Sequence, residues 1–299
     1  MSIITTYPAV PSRLLNIYAV LYESPKGEDR ELLESYFTPT SLATRGAGND
    51  EEVGSSLFKS ALQEAIRLKI LEEIEGRIRI VSLPPEANDK KRMGVEEAFR
   101  MTVRATLFNP ELAQEAGQSA FMLATAWLLG KNPLEPLSFS EVPQDMLRRD
   151  LGDNRDRTEL TNNARYQDFL YWARYLGFAC FVGSEAGRRV IPDPTRAIQS
   201  ALPTIFGDQM VLDIELFLSV LNQVFPVFEG GTMWFEVEEM RPPEGRTNDD
   251  KLSIATSLAL RRLEERGFLK LESLADARAR ILQYGNETDR VTRIRRGET

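Results

Sequence analysis

The chain has 299 residues, 42% hydrophobic and 27% charged, a globular balance with room for two or three domains. It carries a net charge of −8, a single cysteine (Cys180) and no histidine. Those counts exclude Ser-His-Asp and Cys-His nucleophile systems, imidazole metal sites, internal disulfides and Cys-x-x-Cys zinc knuckles. The opening Met1–Pro8 lacks the basic stretch of a secretion signal, and the longest apolar run, Phe121–Leu129, falls short of the roughly 20 residues a bilayer span needs. A cytoplasmic protein with no membrane contact is expected. No third of the chain is basic overall, so a DNA-binding surface would have to be a local patch.

In chain order, Arg13–Tyr22 has helical periodicity and ends at Pro25-Lys26-Gly27; a short acidic helix over Asp29–Phe37 stops before Pro39. Arg45–Gly54 reads as a loop, after which Ser55 or Ser56 caps an amphipathic helix carrying Leu57, Phe58, Ala61, Leu62, Ala65, Ile66 and Leu68. Ile70–Ile74, the Glu75-Gly76 turn and the alternating Arg77–Val81 make a hairpin. Helices followed by a two-stranded ribbon is the order of a winged helix-turn-helix unit, with the third helix for recognition and the hairpin as wing.

The pattern recurs. Ser119–Leu129, Ser140–Leu151 and Asn163–Leu176 are followed by Gly177–Val182, a turn at Gly183–Gly187 and Arg188–Pro192. Pro192–Pro203 reads as a link. Then Leu212–Val224 is a helix, Trp234–Met240 a short helix or strand, and Lys251–Arg266 a long helix, before strands at Gly267–Glu272 and Ala277–Leu282. The copies align at the helix-to-wing junction: Leu62 with Leu170 and Leu260, Ala65 with Ala173 and Leu263, Ile70 with Phe178 and Phe268. The expected fold is therefore mainly α with small antiparallel β wings, as tandem winged-helix units. Unit one spans 1–83, a linker and connecting helix 84–118, unit two 119–199, unit three 200–285, and a frayed basic tail 286–299. The polar linker contains Lys90-Lys91-Arg92.

Catalytic signatures are missing. There is no Walker-type loop and no G-x-S-x-G elbow, and Gly46-Ala47-Gly48 lacks the third glycine and preceding strand of a dinucleotide fingerprint. A metal-dependent nuclease of the restriction type needs Glu-x-Lys, which occurs nowhere. Asp249-Asp250-Lys251 reads as a negative helix cap, and Ser56-x-x-Lys59 as part of a capped surface helix. Cys180, centred in an apolar strand, is expected to be a buried thiol; Trp127, Trp172 and Trp234 fall on apolar stripes and read as core. No cofactor and no metal site is implied, and the chain is expected not to be an enzyme.

The sharper signal is basic. Arg77 and Arg79 project from one strand face; Arg278 and Arg280 repeat that spacing, and Arg188-Arg189 occupy the matching place in the middle unit. Outward guanidinium forks suit phosphate oxygens, although a solvent-facing hairpin must carry something polar in any case. On the recognition helices, Lys59, Arg67, Arg261 and Arg262 complete the candidate DNA-binding set, interleaved with acids such as Glu64, Glu264 and Glu265.

The start Met1-Ser2-Ile3-Ile4 running into an apolar helix, the Leu57…Ile70…Glu75-Gly76…Arg79-Ile80 unit and the run Ala126–Pro133 (Ala-Trp-Leu-Leu-Gly-Lys-Asn-Pro) resemble the DpdG family. That family belongs to the bacterial 7-deazaguanine DNA-modification and defence cluster. The resemblance implies a role in restricting foreign DNA alongside other gene products, with no enzymatic residue to carry over.

Two readings follow. In the first, the chain is a non-enzymatic subunit that contacts the backbone of double-stranded DNA through its wings within a defence complex. In the second, the same units dock proteins or form a homodimer, and the acidic surface keeps DNA away.

Overall fold

A computed structural model describes residues 2–3, 9–38, 50–82, 94–246 and 250–298, which fall into two compact units, 1–119 and 120–299. The expected class holds: mainly α-helix with small antiparallel sheets of two or three strands. The linker with Lys90-Lys91-Arg92 and the Gly46-Ala47-Gly48 stretch lie outside the described residues.

In the first unit α1 (Pro11–Glu23) begins with proline at its first turn and buries Leu14, Ile17, Tyr18 and Leu21. Strand β1 (Glu28–Asp29) leads into α2 (Arg30–Phe37), where Asp29 caps by accepting from the amides of Glu31 and Leu32. Helix α3 (Asp50–Arg67) starts earlier than the expected serine cap. Strands β2 (Leu71–Ile74) and β3 (Arg77–Ile80) form the hairpin, and β1 pairs with β3 to give the order β1-β3-β2. Helices α4 (Val95–Leu107) and α5 (Pro110–Glu115) follow.

The second compact unit repeats this order twice. Helix α6 (Ser119–Leu129), apolar all round and buried from Phe121 to Leu129, precedes β4 (Leu137–Ser138), α7 (Gln144–Leu151), α8 (Asn163–Leu176), β5 (Ala179–Val182) and β6 (Arg189–Pro192), in sheet order β4-β6-β5. Then α9 (Thr195–Phe206), β7 (Val211–Asp213), α10 (Ile214–Val224), α11 (Thr232–Met240) and α12 (Ile254–Glu265) lead to β8 (Leu269–Glu272). A separate hairpin, β9 (Arg280–Tyr284) with β10 (Glu287–Val291), comes before β11 (Arg293–Arg296), which closes the sheet β7-β11-β8.

The aligned junction residues superimpose in their hydrogen bonding. The amides of Ile70, Phe178 and Phe268 each donate five residues back, to Ala65, Ala173 and Leu263, at 3.0, 2.8 and 2.9 Å. The residue before each is left-handed: Lys69 (φ 54°), Gly177 (φ 91°) and Gly267 (φ 78°). The same three carbonyls, of Ile70, Phe178 and Phe268, then accept from Val81, Asp193 and Gly297 at 3.0, 2.9 and 2.9 Å, closing each wing. Each central strand sends one fully buried residue inward: Ile78, Val190 and Ile294.

These bonds correct the reading of the third unit. Its first helix is α9, in the segment expected to be a link; Pro203 sits within that helix, near its end, so the proline did not break it. Its wing return is β11, in the segment expected to be a frayed tail, and that strand is the centre of its sheet. Ala277–Leu282 belongs instead to an added hairpin. This hairpin is seated on α12: Ile281 donates to the Asp250 carbonyl at 2.8 Å and accepts from Leu252 at 2.9 Å, and the Gln283 amide donates to Ser257 Oγ at 2.9 Å. The cap of α12 is Ser253, which accepts from the Thr256 amide, and not the Asp249-Asp250 pair; Asp249 lies outside the described residues.

Candidate nucleic-acid interface

The strand-face arginines of the first wing flank buried Ile78. Arg77 Nη2 donates to the Gly27 carbonyl at 2.6 Å and so fastens the turn before β1, while Arg79 Nε donates across the hairpin to Glu72 at 2.7 Å. On α3, Lys59 lies 3.4 Å from Glu34, and Arg67 pairs with the buried carboxylate of Glu64, which also accepts from Gln118 Nε2 at 3.2 Å. Arg67 thus neutralises an acid inside its own unit; its charge is committed.

The third unit departs furthest from expectation. Arg278 lies in the loop before β9, and Arg280 begins that strand, so neither is a wing residue. Arg280 is only 12% exposed and grips Glu215 of α10 with two bonds of 2.7 and 2.9 Å; Arg278 is 72% exposed and lies 3.6 Å from the same carboxylate. Hydrogen bonding from Arg280 holds the Glu215 carboxyl below the usual range. Arg261 pairs with Glu264 and with Asp289 of the added hairpin, and its guanidinium lies over the Tyr284 ring; Arg262 lies 2.8 Å from Asp193.

The true counterparts of Arg77 and Arg79 are Arg293 and Arg295, which flank buried Ile294 and pair with Asp213 at 2.9 Å and Glu272 at 2.8 Å. The sequence carried the signal, since Arg-Ile-Arg occurs at both 77–79 and 293–295. The added hairpin hid it by placing a second arginine pair at the expected distance.

The middle wing is different. Its strand arginine, Arg189, stands opposite Ser138 in the register, where the other two units place Asp29 and Asp213. Arg189 is exposed, and among the described residues it has no carboxylate partner. Arg188 lies over Phe139 and Phe181, at 5.0 and 5.9 Å from the ring centroids, and Arg174 lies 5.0 Å from the Phe181 centroid. Phe139, Tyr171 and Phe181 pack edge to face beneath them.

Cys180 is half-buried rather than fully buried, and burial pushes its thiol up, outweighing the nearby Arg262 and Arg174; this is not the setting of a reactive thiolate. Trp127, Trp172 and Trp234 are buried, as their stripes predicted. Trp127 has a further task. Its Nε1 donates to Asp150 at 3.1 Å, Lys131 pairs with the same carboxylate, and Gly130 leaves room for Arg241, whose Nη2 would lie 2.4 Å from a Cβ there. The Trp-Leu-Leu-Gly-Lys run is therefore a packed polar joint between α6, α7 and the end of α11. Burial pushes the Lys131 ammonium down to about 8 against the pull of Asp150; burial also works to raise Asp150, but Lys131 and Trp127 outweigh it and its carboxyl stays low.

Among the described residues no group of acids and thiol is arranged to hold a metal ion, and no helix is long and apolar enough to cross a membrane. A family model described as DpdG-like matches residues 1–277. No curated protein and no solved structure matches the chain.

Proposed function

Because the chain belongs to the DpdG-like family, we propose that it serves the 7-deazaguanine DNA-modification and defence system as a subunit without a catalytic centre of its own, its three repeats acting as winged-helix docking modules. The helix–strand–helix–helix–ribbon order, with the first strand paired to the last in all three sheets, supports the winged-helix reading. One observation carries the docking role. Of the ten basic side chains that the sequence offers to DNA, seven (Lys59, Arg67, Arg79, Arg261, Arg262, Arg278 and Arg280) face a carboxylate of their own compact unit. A guanidinium already neutralised displaces few counterions from DNA, so affinity for phosphate falls away.

A second reading is favoured at one place: the middle wing, where Arg174, Arg188 and Arg189 have no such partner among the described residues. A mobility-shift assay on the full chain at about 50 and about 200 mM salt separates the two. Docking predicts weak binding with a shallow salt slope, and retention of the chain by other proteins of its modification system. Tight binding whose slope drops in an Arg188→Gln, Arg189→Gln variant would overturn docking as the main role and assign DNA contact to the middle wing.

A further inference from the structure

Two segments of the third unit have no counterpart in the repeat order: α11, between its second and third long helices, and the β9–β10 hairpin. They meet around one cleft of about 370 Å³, walled by Trp234, Phe235 and Glu239 from α11, by Lys251, and by Arg278 and Arg280 before and within β9. That volume lies in the range of small-ligand sites.

The charges in the cleft are not equivalent. Arg280 is held by Glu215 and Glu238 by Arg241 at 3.1 Å. Glu229 is fully enclosed and turned to α12, its oxygens accepting from the Ser253 amide at 2.6 Å and Thr256 Oγ1 at 3.0 Å. Among the described residues, the half-buried Lys251 side chain has no partner and Arg246 reaches the carbonyls of Arg241 and Glu239, at 3.4 and 3.5 Å, but no carboxylate; Arg278, 3.6 Å from Glu215, is mostly in water. Against these three cations, among the described residues that line the cleft, Glu239 is the one carboxylate whose side chain has no partner. Beside them the Phe235 ring is 53% exposed, with buried Trp234 next to it in the wall. An aromatic face left in water next to uncommitted cations suits a flat ring that carries an anion.

We propose that this cleft binds a nucleoside 5′-monophosphate, the base against Phe235, the phosphate met by Lys251 and Arg278, and Glu239 accepting from a donor on the base edge. Neither fatty acids nor simple anions match the wall, since the first would leave the cations facing hydrocarbon and the second would leave the ring in water. The site does not depend on the docking role: of the seven cations that face a carboxylate only Arg278 and Arg280 line the cleft, and Arg278, 3.6 Å from Glu215 and 72% exposed, can still meet a second anion. The nucleotide is either free or the 5′-phosphorylated end of a strand.

Calorimetric titration of the full chain tests this, with guanosine 5′-monophosphate, guanosine, inorganic phosphate and a short 5′-phosphorylated single strand as titrants. The monophosphate or the strand end binds at one site, while guanosine and phosphate each bind about tenfold or more weakly, as loss of stacking or of a charge-assisted bond requires. The more tightly bound of the two productive titrants identifies the source. Phe235→Ala and Lys251→Met each weaken that titrant about tenfold without lowering the melting temperature. Absence of binding by either nucleotide form up to about 1 mM, or unchanged affinity in both variants, overturns the proposal.

Discussion

Replacing Arg280 by alanine separates a nucleic-acid contact from an internal brace. The guanidinium is 12% exposed and donates twice to Glu215, at 2.7 and 2.9 Å, while the Glu215 side chain remains 35% exposed. A hydrogen bond to a charged group contributes about 1.5–3 kcal/mol, and solvent screening on the acid side argues for the lower part of that range for the pair, about 2 kcal/mol. For a unit of this size each kcal/mol moves the melting temperature by about 2–4 °C, so the 120–299 unit should melt about 4–8 °C lower. Arg278→Ala, at a side chain 72% exposed, should shift it by less than about 1 °C. The carboxyl of Glu215 is held low in the folded state, so the pair stabilises fully above the ordinary carboxylate range and loses its effect as pH falls through the lowered value. Arg280→Ala should accordingly flatten the acid limb of the stability curve. Scanning calorimetry between about pH 3 and about pH 7 reads both effects. A variant with unchanged melting temperature but reduced DNA affinity would refute the brace and restore Arg280 to a polyanion surface.

Removing residues 287–299 should unfold the third unit, visible as lost helical circular dichroism and new protease sites, because β11 is the middle strand of β7-β11-β8; a dispensable tail would leave both signals unchanged. Gly27→Ala should cost the first unit about 2 kcal/mol or more in urea titration, since the residue has φ 75° and a Cβ would stand 2.5 Å from the Ile78 carbonyl. Lys131 binds its proton less tightly when folded, so the unfolded state holds more protons between pH 8 and the ordinary lysine range. Stability therefore rises with pH there, and the gap in urea stability between wild type and Lys131→Met should widen by up to about 2 kcal/mol from about pH 8 to about pH 9.5. A constant gap would place the Lys131 pKa near its ordinary value.

The repeat was legible because it is written in local chemistry. Alternation at Arg77–Val81, the apolar residues that align at the three junctions and the apolar spacing of the helices before them are properties of short windows, and the structure keeps each one. The resemblance to the DpdG family was legible for the same reason, since it rested on short runs: the start Met1–Ile4, the segment from Leu57 to Ile80 and Ala126–Pro133.

What the windows could not show is which strand closes which sheet and where each charge finds its partner. Helix α9 reads locally as a linker; it is a helix because Ala197, Ile198, Ala201 and Ile205 are buried in the third unit. Arg293–Arg296 reads as a frayed basic tail until β7 and β8 supply their hydrogen bonds. The charge of Arg280 is matched 65 positions away at Glu215, and that of Arg67 depends on an acid whose burial only packing reveals. Pattern along the chain fixes periodicity and turn geometry, which act over a few residues. Strand pairing and charge neutralisation act through space, and here they pair most of the candidate arginines with the protein's own acids.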